Sequence, residues 1–167
     1  IYILGTTGNE LGGSEYYARF GYVGLNVPKV RPEAFLELYR ALQGAIAGGL
    51  TASVHGVYQG GLGVHLALVA MGGNLGMMVS LKAVPVDGAE RDDTILFSES
   101  AGRFIVTVDP ANRKAFEENF SGMACGCIGN VTADPDIVIK GLQDTTLVTT
   151  TVPDLKAAWK KPFGDLI

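Results

Sequence analysis

The sequence predicts an α/β fold of the α+β type, in which a mixed β-sheet carries helices packed mainly on one face. Helical and strand patterns alternate in the N-terminal part, and short strands follow one another near the C-terminus. Hydrophobic residues make up 47% of the 167 residues, against 18% charged. These patterns are typical of a mixed sheet, and the composition is typical of one folded domain. We therefore expect residues 1–167 to form a single domain, and a fragment of a longer chain, because an apolar strand begins at Ile1 without an initiator methionine.

The strongest local pattern predicts a helix over residues 32–47, which starts with a proline and is followed by two glycines. Its apolar side chains recur every three or four residues and form one stripe, made of Phe35, Leu38, Leu42 and Ile46. Further helices are predicted at 14–20, 60–70, 110–120 and 153–159. Strands are predicted at 1–4, 50–57, 75–81, 95–98, 103–108, 124–131, 136–141 and 146–152, the last two as a hairpin, with loops at 5–13, 21–30 and 83–93.

Charge and hydropathy argue against two kinds of partner. The net charge is −4, whereas a nucleic-acid binder needs a basic surface to neutralise phosphates. No apolar run reaches the length of a membrane-spanning helix, about 20 residues, and the first residues do not form a secretory signal. We therefore expect no nucleic-acid partner, no membrane partner and a cytoplasmic location.

The two cysteines, Cys125 and Cys127, stand one residue apart, so that on a strand both side chains point to the same face. No second pair of ligands completes a zinc site. We expect two buried, reduced thiols and no metal site.

Glycines precede a helix start at Gly12 and Gly13, which are followed by Ser14. Backbone N–H groups at such a position can hold an anion, and the serine adds a hydroxyl. The same residues also fit an ordinary loop that ends in a helix cap. Pattern alone leaves both interpretations open.

A second glycine turn, Gly60-Gly61, joins a predicted strand to a predicted helix and could hold a phosphate at the helix start. It lacks the Gly-Lys-Ser/Thr of a nucleotide-binding P-loop. The alternative is a tight turn whose glycines let helix and sheet pack closely. His55 and His65 stand alone in the sequence, and such histidines are more often packed or exposed than ligands.

A third segment, residues 96–104, places Glu99 between two serines, with Arg103 just beyond. Glu99 and Ser100 could hold a ribose, an amine or a metal-bound water, and Arg103 could hold a phosphate. The alternative is an exposed Glu99–Arg103 ion pair of little energetic weight. No serine or cysteine has a neighbouring histidine and acid, so the sequence assigns no catalytic residue.

These three segments, in this order, resemble the C-terminal domain of the family that includes aminoimidazole ribonucleotide synthetase, selenophosphate synthetase and phosphoribosylformylglycinamidine synthase. The resemblance spans nearly the whole chain, and the chain is most similar to the second copy of this domain in the last of these enzymes. The matching segments are LGGSEY at 11–16, the strand and turn at 53–62, the LFSES-x-GRF pattern at 96–104 and the IG-x-V strand at 128–131.

The resemblance implies part of an ATP-dependent ligase that amidates formylglycinamide ribonucleotide with glutamine-derived ammonia in de novo purine biosynthesis. It implies ATP and Mg²⁺ as cofactors of the full enzyme. Its partners would be the N-terminal-type domains of the same enzyme and a glutaminase subunit or domain. Because most nucleotide, magnesium and catalytic residues of the family lie in the N-terminal-type domains, we expect this fragment alone to be inactive. Its uncovered partner face should make it self-associate.

One segment departs from the family pattern. Where the family has HDVSDGGL, residues 55–62 are HGVYQGGL, so Gly56 and Gln59 replace two aspartates and Tyr58 replaces the serine. This departure favours a structural or auxiliary nucleotide-binding half as the alternative function; another member of the superfamily is a further alternative. The nucleotide- or substrate-binding residues that we predict are Gly12, Gly13, Ser14, His55, Gly60, Gly61, Glu99, Ser100 and Arg103.

Overall fold

The computed structural model describes residues 1–166, and over that range the chain forms ten β-strands and six α-helices. The strands are β1 (Tyr2–Leu4), β2 (Thr7–Gly8), β3 (Ser53–Val57), β4 (Gly76–Ser80), β5 (Val86–Asp87), β6 (Arg103–Thr107), β7 (Cys125–Cys127), β8 (Gly129–Thr132), β9 (Asp136–Lys140) and β10 (Thr146–Thr151). The helices are α1 (Glu15–Arg19), α2 (Pro32–Ala47), α3 (Gly61–Gly73), α4 (Asp92–Phe97), α5 (Arg113–Asn119) and α6 (Val152–Lys160), with 3-10 turns at Leu81–Ala83, Pro110–Asn112 and Lys161–Leu166.

Eight of the strands form two four-stranded sheets. Sheet I has the order β3-β6-β1-β7 and is antiparallel throughout. Sheet II has the order β10-β9-β4-β8; in it β4 runs parallel to β9 and antiparallel to β8, and β9 and β10 form the predicted hairpin. The short strands β2 and β5 pair in parallel. The predicted mixed α/β class is confirmed, and the strands divide between two main sheets.

The larger core lies between the two sheets and α3. Side chains alternate across a strand, so Ile3 and Ile105 of sheet I point to the same face. They join Leu62 and Leu66 of α3 and Met77 of sheet II in one buried cluster. Helix α3 is therefore held by both sheets, which fixes the position of its first turn.

The opposite face of sheet I forms a second core with α2 and α5. Tyr2 and Leu4 of β1 pack with Leu38 and Leu42 of α2 and with Phe116 of α5, and all five are 5% exposed or less. Sheet I thus has helices on both faces, which differs in detail from the expectation of helices mainly on one.

Helix α2 has the predicted bounds, but its buried stripe differs from the predicted one. Leu38 and Leu42 are buried as expected, together with Ala45, whereas Phe35 and Ile46 are 38% and 49% exposed. The N-terminal and C-terminal ends of this helix therefore present apolar side chains to the surface.

The prediction of a strand at residues 95–98 is wrong, since residues 95–97 belong to helix α4 and Ser98 is its C-cap. A short apolar run does not by itself distinguish a strand from a buried helix. Asp92 and Asp93 lie in the first turn, where the helix dipole favours negative charge. Ile95 and Leu96 are then buried on the helix face toward the core.

The strand predicted at 124–131 is divided into β7 and β8, which lie in different sheets. Between them Ile128 is 2% exposed, and its N–H donates to the carbonyl oxygen of Ile1 at 2.9 Å. Glycine is required beside this crossing, because a Cβ on Gly126 would lie 1.9 Å from the carbonyl oxygen of Ala83.

The prediction of two buried thiols is wrong for Cys127, which is exposed on the edge strand β7. Cys125 is half-buried, and burial raises the pKa of its thiol to about 11. Across residues 1–166, the structure shows no helix of the length and apolar character that spanning a membrane requires.

Candidate functional site

The three glycine-bearing segments meet at the side chain of Glu99. Its carboxylate oxygen Oε1 accepts the N–H of Gly60 at 2.8 Å and the N–H of Glu15 at 2.9 Å. Gly60 is the N-cap of α3 and Glu15 is the first residue of α1. A carboxylate is favoured at a helix N-terminus because the dipole leaves partial positive charge there. We call Glu99, Glu15 and Gly60 the Glu99 junction.

Ser14 caps α1 as predicted, with its Oγ accepting the N–H of Tyr17 at 3.2 Å. The two glycines before it have backbone partners within the protein. The N–H of Gly12 and that of Gly13 donate to carbonyl oxygens of residues 20–31, at 2.8 Å and 2.6 Å. An anion could bind these donors only by displacing the carbonyls.

The Gly60-Gly61 turn requires glycine at both positions. Their φ angles are 91° and 72°, in the left-handed region that side chains disfavour. A Cβ on Gly61 would lie 2.7 Å from the carbonyl oxygen of Leu96, so the second glycine also lets α3 approach α4. The N–H of Gly61 donates to the carbonyl oxygen of Tyr58 at 2.9 Å, and both donors of the turn are therefore engaged.

His55 and His65, which stand alone in the sequence, are neighbours in the fold: His55 Nε2 lies 2.8 Å from His65 Nδ1. The ring of His65 is 1% exposed. Its Nε2 lies 3.2 Å from the backbone nitrogen of Tyr58 and 3.1 Å from the carbonyl oxygen of Gln59. Burial is the main cause that lowers the pKa of His65. The histidine pair therefore holds the backbone that leads into Gly60.

Arg103 is 1% exposed and organises the segment before β6. Its Nε donates to the carbonyl oxygen of Ser100 at 3.0 Å, its Nη2 to that of Ser98 at 2.5 Å, and its Nη1 to a threonine hydroxyl of β2 at 3.0 Å. Ser100 Oγ accepts a backbone N–H of β2 at 2.9 Å. Burial lowers the pKa of Arg103 to about 10, so the guanidinium remains charged at neutral pH. The alternative considered from the sequence, an exposed ion pair between Glu99 and Arg103, is therefore wrong.

Contacts between residues distant in sequence bring these segments together. The rings of Tyr16 and Phe97 stack with centroids 4.6 Å apart and planes 3° apart, which joins α1 to α4. The amide of Gln59 donates to the carboxylate of Glu15. The replacement of the family's aspartate by Gln59 was the available signal, because an amide can donate to Glu15 and an ionised aspartate cannot.

The resemblance implies ATP and Mg²⁺ as ligands of the full enzyme. Among residues 1–166, no three His, Cys, Asp or Glu side chains come together as a metal-binding group. We therefore assign no magnesium ligand among these residues. The N–H groups of Gly12, Gly13, Gly60 and Gly61 already donate to protein oxygens, so these glycines do not present a preformed phosphate cradle.

Comparison with known proteins places this geometry in a family. Residues 1–141 match the family model described as the AIR synthase related protein, C-terminal domain. Thermotoga maritima PurL complexed with FGAR is 22% identical, with a TM-score of 0.79 over 92% of this chain and 27% of that chain. Phosphoribosylformylglycinamidine synthase II from the same organism is 22% identical, with a TM-score of 0.74 over 92% of this chain and 25% of that chain. Escherichia coli HypE, a hydrogenase maturation protein, is 18% identical, with a TM-score of 0.63 over 91% of this chain and 49% of that chain.

At these identities the structural likeness shows a shared fold, and the chain spans about a quarter of the length of the two synthase chains. The family model covers residues 1–141, which include all three segments of the Glu99 junction. This chain belongs to the family of AIR synthase related proteins, as their C-terminal domain.

Proposed function

We propose that this domain is the C-terminal part of an ATP-dependent phosphoribosylformylglycinamidine synthase in the cytoplasm. The complete enzyme would amidate formylglycinamide ribonucleotide with glutamine-derived ammonia, using ATP and Mg²⁺ held chiefly by its N-terminal-type domains. Fold likeness supports this assignment, since the TM-scores to the two synthase structures, 0.79 and 0.74, exceed the 0.63 to HypE. The fragment alone would be inactive.

One observation carries the proposal to particular residues: the three segments that resemble the synthase converge on Glu99. Glu99 is half-buried and holds the starts of α1 and α3 with a single oxygen. In the complete enzyme we propose that this junction sets the position of the Gly60-Gly61 turn and of Ser100 at the edge of the cleft. Arg103 would contribute indirectly, by holding the backbone of the segment before β6.

The test uses the complete chain that contains this domain. Amidine formation and ADP release are measured with formylglycinamide ribonucleotide, ATP and ammonia, and we expect activity that depends on all three. Glu99→Ala should weaken the apparent affinity for nucleotide or substrate, while the exposed Glu118→Ala should not. A complete chain that instead cyclises formylglycinamidine ribonucleotide or phosphorylates selenide would refute the assignment.

A second candidate is a structural or auxiliary nucleotide-binding half without a direct catalytic role. It is favoured by the engaged N–H groups of Gly60 and Gly61 and by the loss of both acids from the 55–62 turn. The number of ATP molecules that the complete chain binds after Gly60→Val separates a nucleotide-binding half from a purely structural one. The change should remove one bound ATP per chain if the turn cradles phosphate, and should leave the stoichiometry unchanged if the turn is structural. Thermal unfolding must accompany it, because Gly60 has a φ of 91°.

The surface around residues 20–31 supports a partner domain of the same enzyme. It exposes a group of large apolar side chains: Phe20, Tyr22, Val23, Leu25 and Val30 are 58% to 97% exposed. Monomeric proteins rarely leave a contiguous apolar patch of this kind uncovered. We propose that an N-terminal-type domain covers it, and that the isolated chain self-associates. Analytical ultracentrifugation should show dimers or larger species for residues 1–167 and fewer for Leu25→Glu; a monodisperse monomer would contradict this.

A further inference from the structure

A cavity of about 350 Å³ opens between α2 and the segments that precede β6 and β7. We call it the Glu10 cavity, after the buried acid in its wall. Glu99, Glu15 and Gly60 do not line it, but Ser100 does, and the carbonyl oxygen of Glu10 accepts the N–H of Glu99 at 3.4 Å, so the cavity adjoins the Glu99 junction. Its volume is near the lower end of the range of small-molecule sites, about 300–1,000 Å³.

Glu10 gives this cavity a buried carboxylate. Its side chain is 7% exposed, and its Oε1 accepts the N–H of Lys29 at 3.2 Å. Its Oε2 accepts no hydrogen bond from residues 1–166. Every fully buried side-chain oxygen in that range has a hydrogen-bond partner, so Oε2 is not fully buried. Oε2 must therefore reach the solvent of the cavity. A carboxylate oxygen so placed gains most from a charged donor.

Two cationic side chains, Arg31 and Lys29, lie at the rim of the cavity, and only Arg31 forms an ion pair with the described residues. Arg31 is committed to Asp87, with an Nη2–Oδ2 distance of 2.7 Å. Lys29 also lines the cavity, and its ammonium forms no ion pair with the described residues. Because the backbone nitrogen of Lys29 contacts Glu10, the ammonium of Lys29 lies no farther from the Glu10 carboxylate than the length of the lysine side chain allows. Phe35, Leu38 and Met123 form an apolar part of the wall, and the polar side chains of Thr6, Glu37 and Ser100 line other parts of it.

We propose that the Glu10 cavity binds a free α-amino acid with an apolar side chain. The ligand's ammonium donates to Glu10 Oε2, its carboxylate pairs with Lys29, and its side chain packs against Phe35, Leu38 and Met123. Each of these contacts satisfies one feature of the cavity: an unpartnered carboxylate oxygen, an unpaired ammonium and an apolar wall. The inference does not rest on the proposed amidation, and either can fail without the other.

The test titrates the 167-residue chain with three probes of matched shape, followed by NMR chemical shifts or calorimetry. L-phenylalanine carries both charges, 2-phenylethylamine lacks the carboxylate, and 3-phenylpropionate lacks the amine. We expect L-phenylalanine to bind with a roughly millimolar dissociation constant, as a ligand of this size allows. The amine should bind more weakly and the acid most weakly. Equal binding of all three, or no saturable binding up to the solubility limit of phenylalanine, overturns the proposal.

Glu10→Gln keeps an oxygen that can accept the Lys29 N–H and removes the charge. It should weaken binding of L-phenylalanine and of 2-phenylethylamine by about tenfold and should not weaken binding of 3-phenylpropionate. The matched control is Glu33→Gln, an exposed acid of the first turn of α2 that does not line the cavity. Equal affinities in the two variants would refute the role of Glu10.

A second variant keeps the proposal testable if Glu10→Gln fails to fold. Ala34 lines the cavity from an exposed position on α2. Ala34→Phe should fill the space and abolish binding of L-phenylalanine, with Glu10 and its hydrogen bond intact. Unchanged binding in a folded Ala34→Phe protein would show that the ligand lies elsewhere and would overturn the proposal.

Discussion

Removal of the Glu99 carboxylate should destabilise the domain, since two backbone donors would lose their acceptor. A hydrogen bond to a charged group contributes about 1.5–3 kcal/mol. The bond from Gly60 is partly buried and keeps most of that value, whereas the donor of Glu15 is exposed and water can replace the acid. For Glu99→Ala we therefore expect a loss of about 2–3 kcal/mol in the free energy of unfolding. With an unfolding entropy of about 2.1 cal/mol/K per residue, this lowers the melting temperature by about 6–9 °C.

The assay is urea and thermal unfolding of residues 1–167, followed by circular dichroism. Glu99→Gln retains a neutral acceptor and should lose only about 1 kcal/mol. The matched control is Glu118→Ala on α5, where the Lys114 Nζ lies 3.8 Å away on an exposed surface and the expected loss is below about 0.5 kcal/mol. Hydrogen exchange at the amide of Gly60 should accelerate in Glu99→Ala alone. If Glu99→Ala unfolded like Glu118→Ala, with the same exchange at Gly60, the junction would have no structural weight and the reasoning would be refuted.

Gly126→Ala should lower the free energy of unfolding by about 3 kcal/mol or more, because its Cβ meets a backbone oxygen. Gly44→Ala has open space on α2 and should raise that free energy by about 0.5–1 kcal/mol. Similar urea midpoints for the two variants would contradict both predictions. Burial raises the pKa of Cys125 from 9.0 to about 11, so at pH 8 it carries about a hundredfold less thiolate than an ordinary thiol. Ellman's reagent should therefore modify Cys127 first, and Cys127→Ser should remove the fast phase; two equal phases in the native protein would exclude this. Because burial lowers the pKa of His65 below 6.5, the unfolded chain binds its proton more readily, and stability should fall as the pH drops through and below 6.5. His65→Gln should flatten that change between pH 7 and 5 in urea titrations, and an unaltered slope would count against it.

Local signals predicted the elements whose determinants are local. Helix α2 has its proline, its apolar spacing and its terminal glycines within residues 32–49, and its bounds were correct. The hairpin of β9 and β10 was found for the same reason, from two apolar runs around a short turn. Helix α4 does not follow from its local sequence, because the three apolar residues Ile95, Leu96 and Phe97 fit either period, and burial against α3 decides between them.

The candidate site depended on contacts between residues distant in sequence. Each of its three segments was recognisable, but the acceptor that joins them is not a local property, since Glu99 lies 84 residues from Glu15 and 39 from Gly60. The histidine pair was overlooked for a related reason. His55 is on a strand and His65 is inside the following helix, and only the tight turn at Gly60-Gly61 brings their rings together.

The passage of residues 125–132 from sheet I to sheet II makes the two sheets mechanically continuous. β7 is paired along its length with β1, and β8 with β4, while a single buried residue separates them. There is no slack in so short a crossing, since each residue of an extended chain spans only about 3.3 Å. A displacement of β1, which is paired with β7, would therefore be passed to β8 and its partner β4 through this short stretch of backbone.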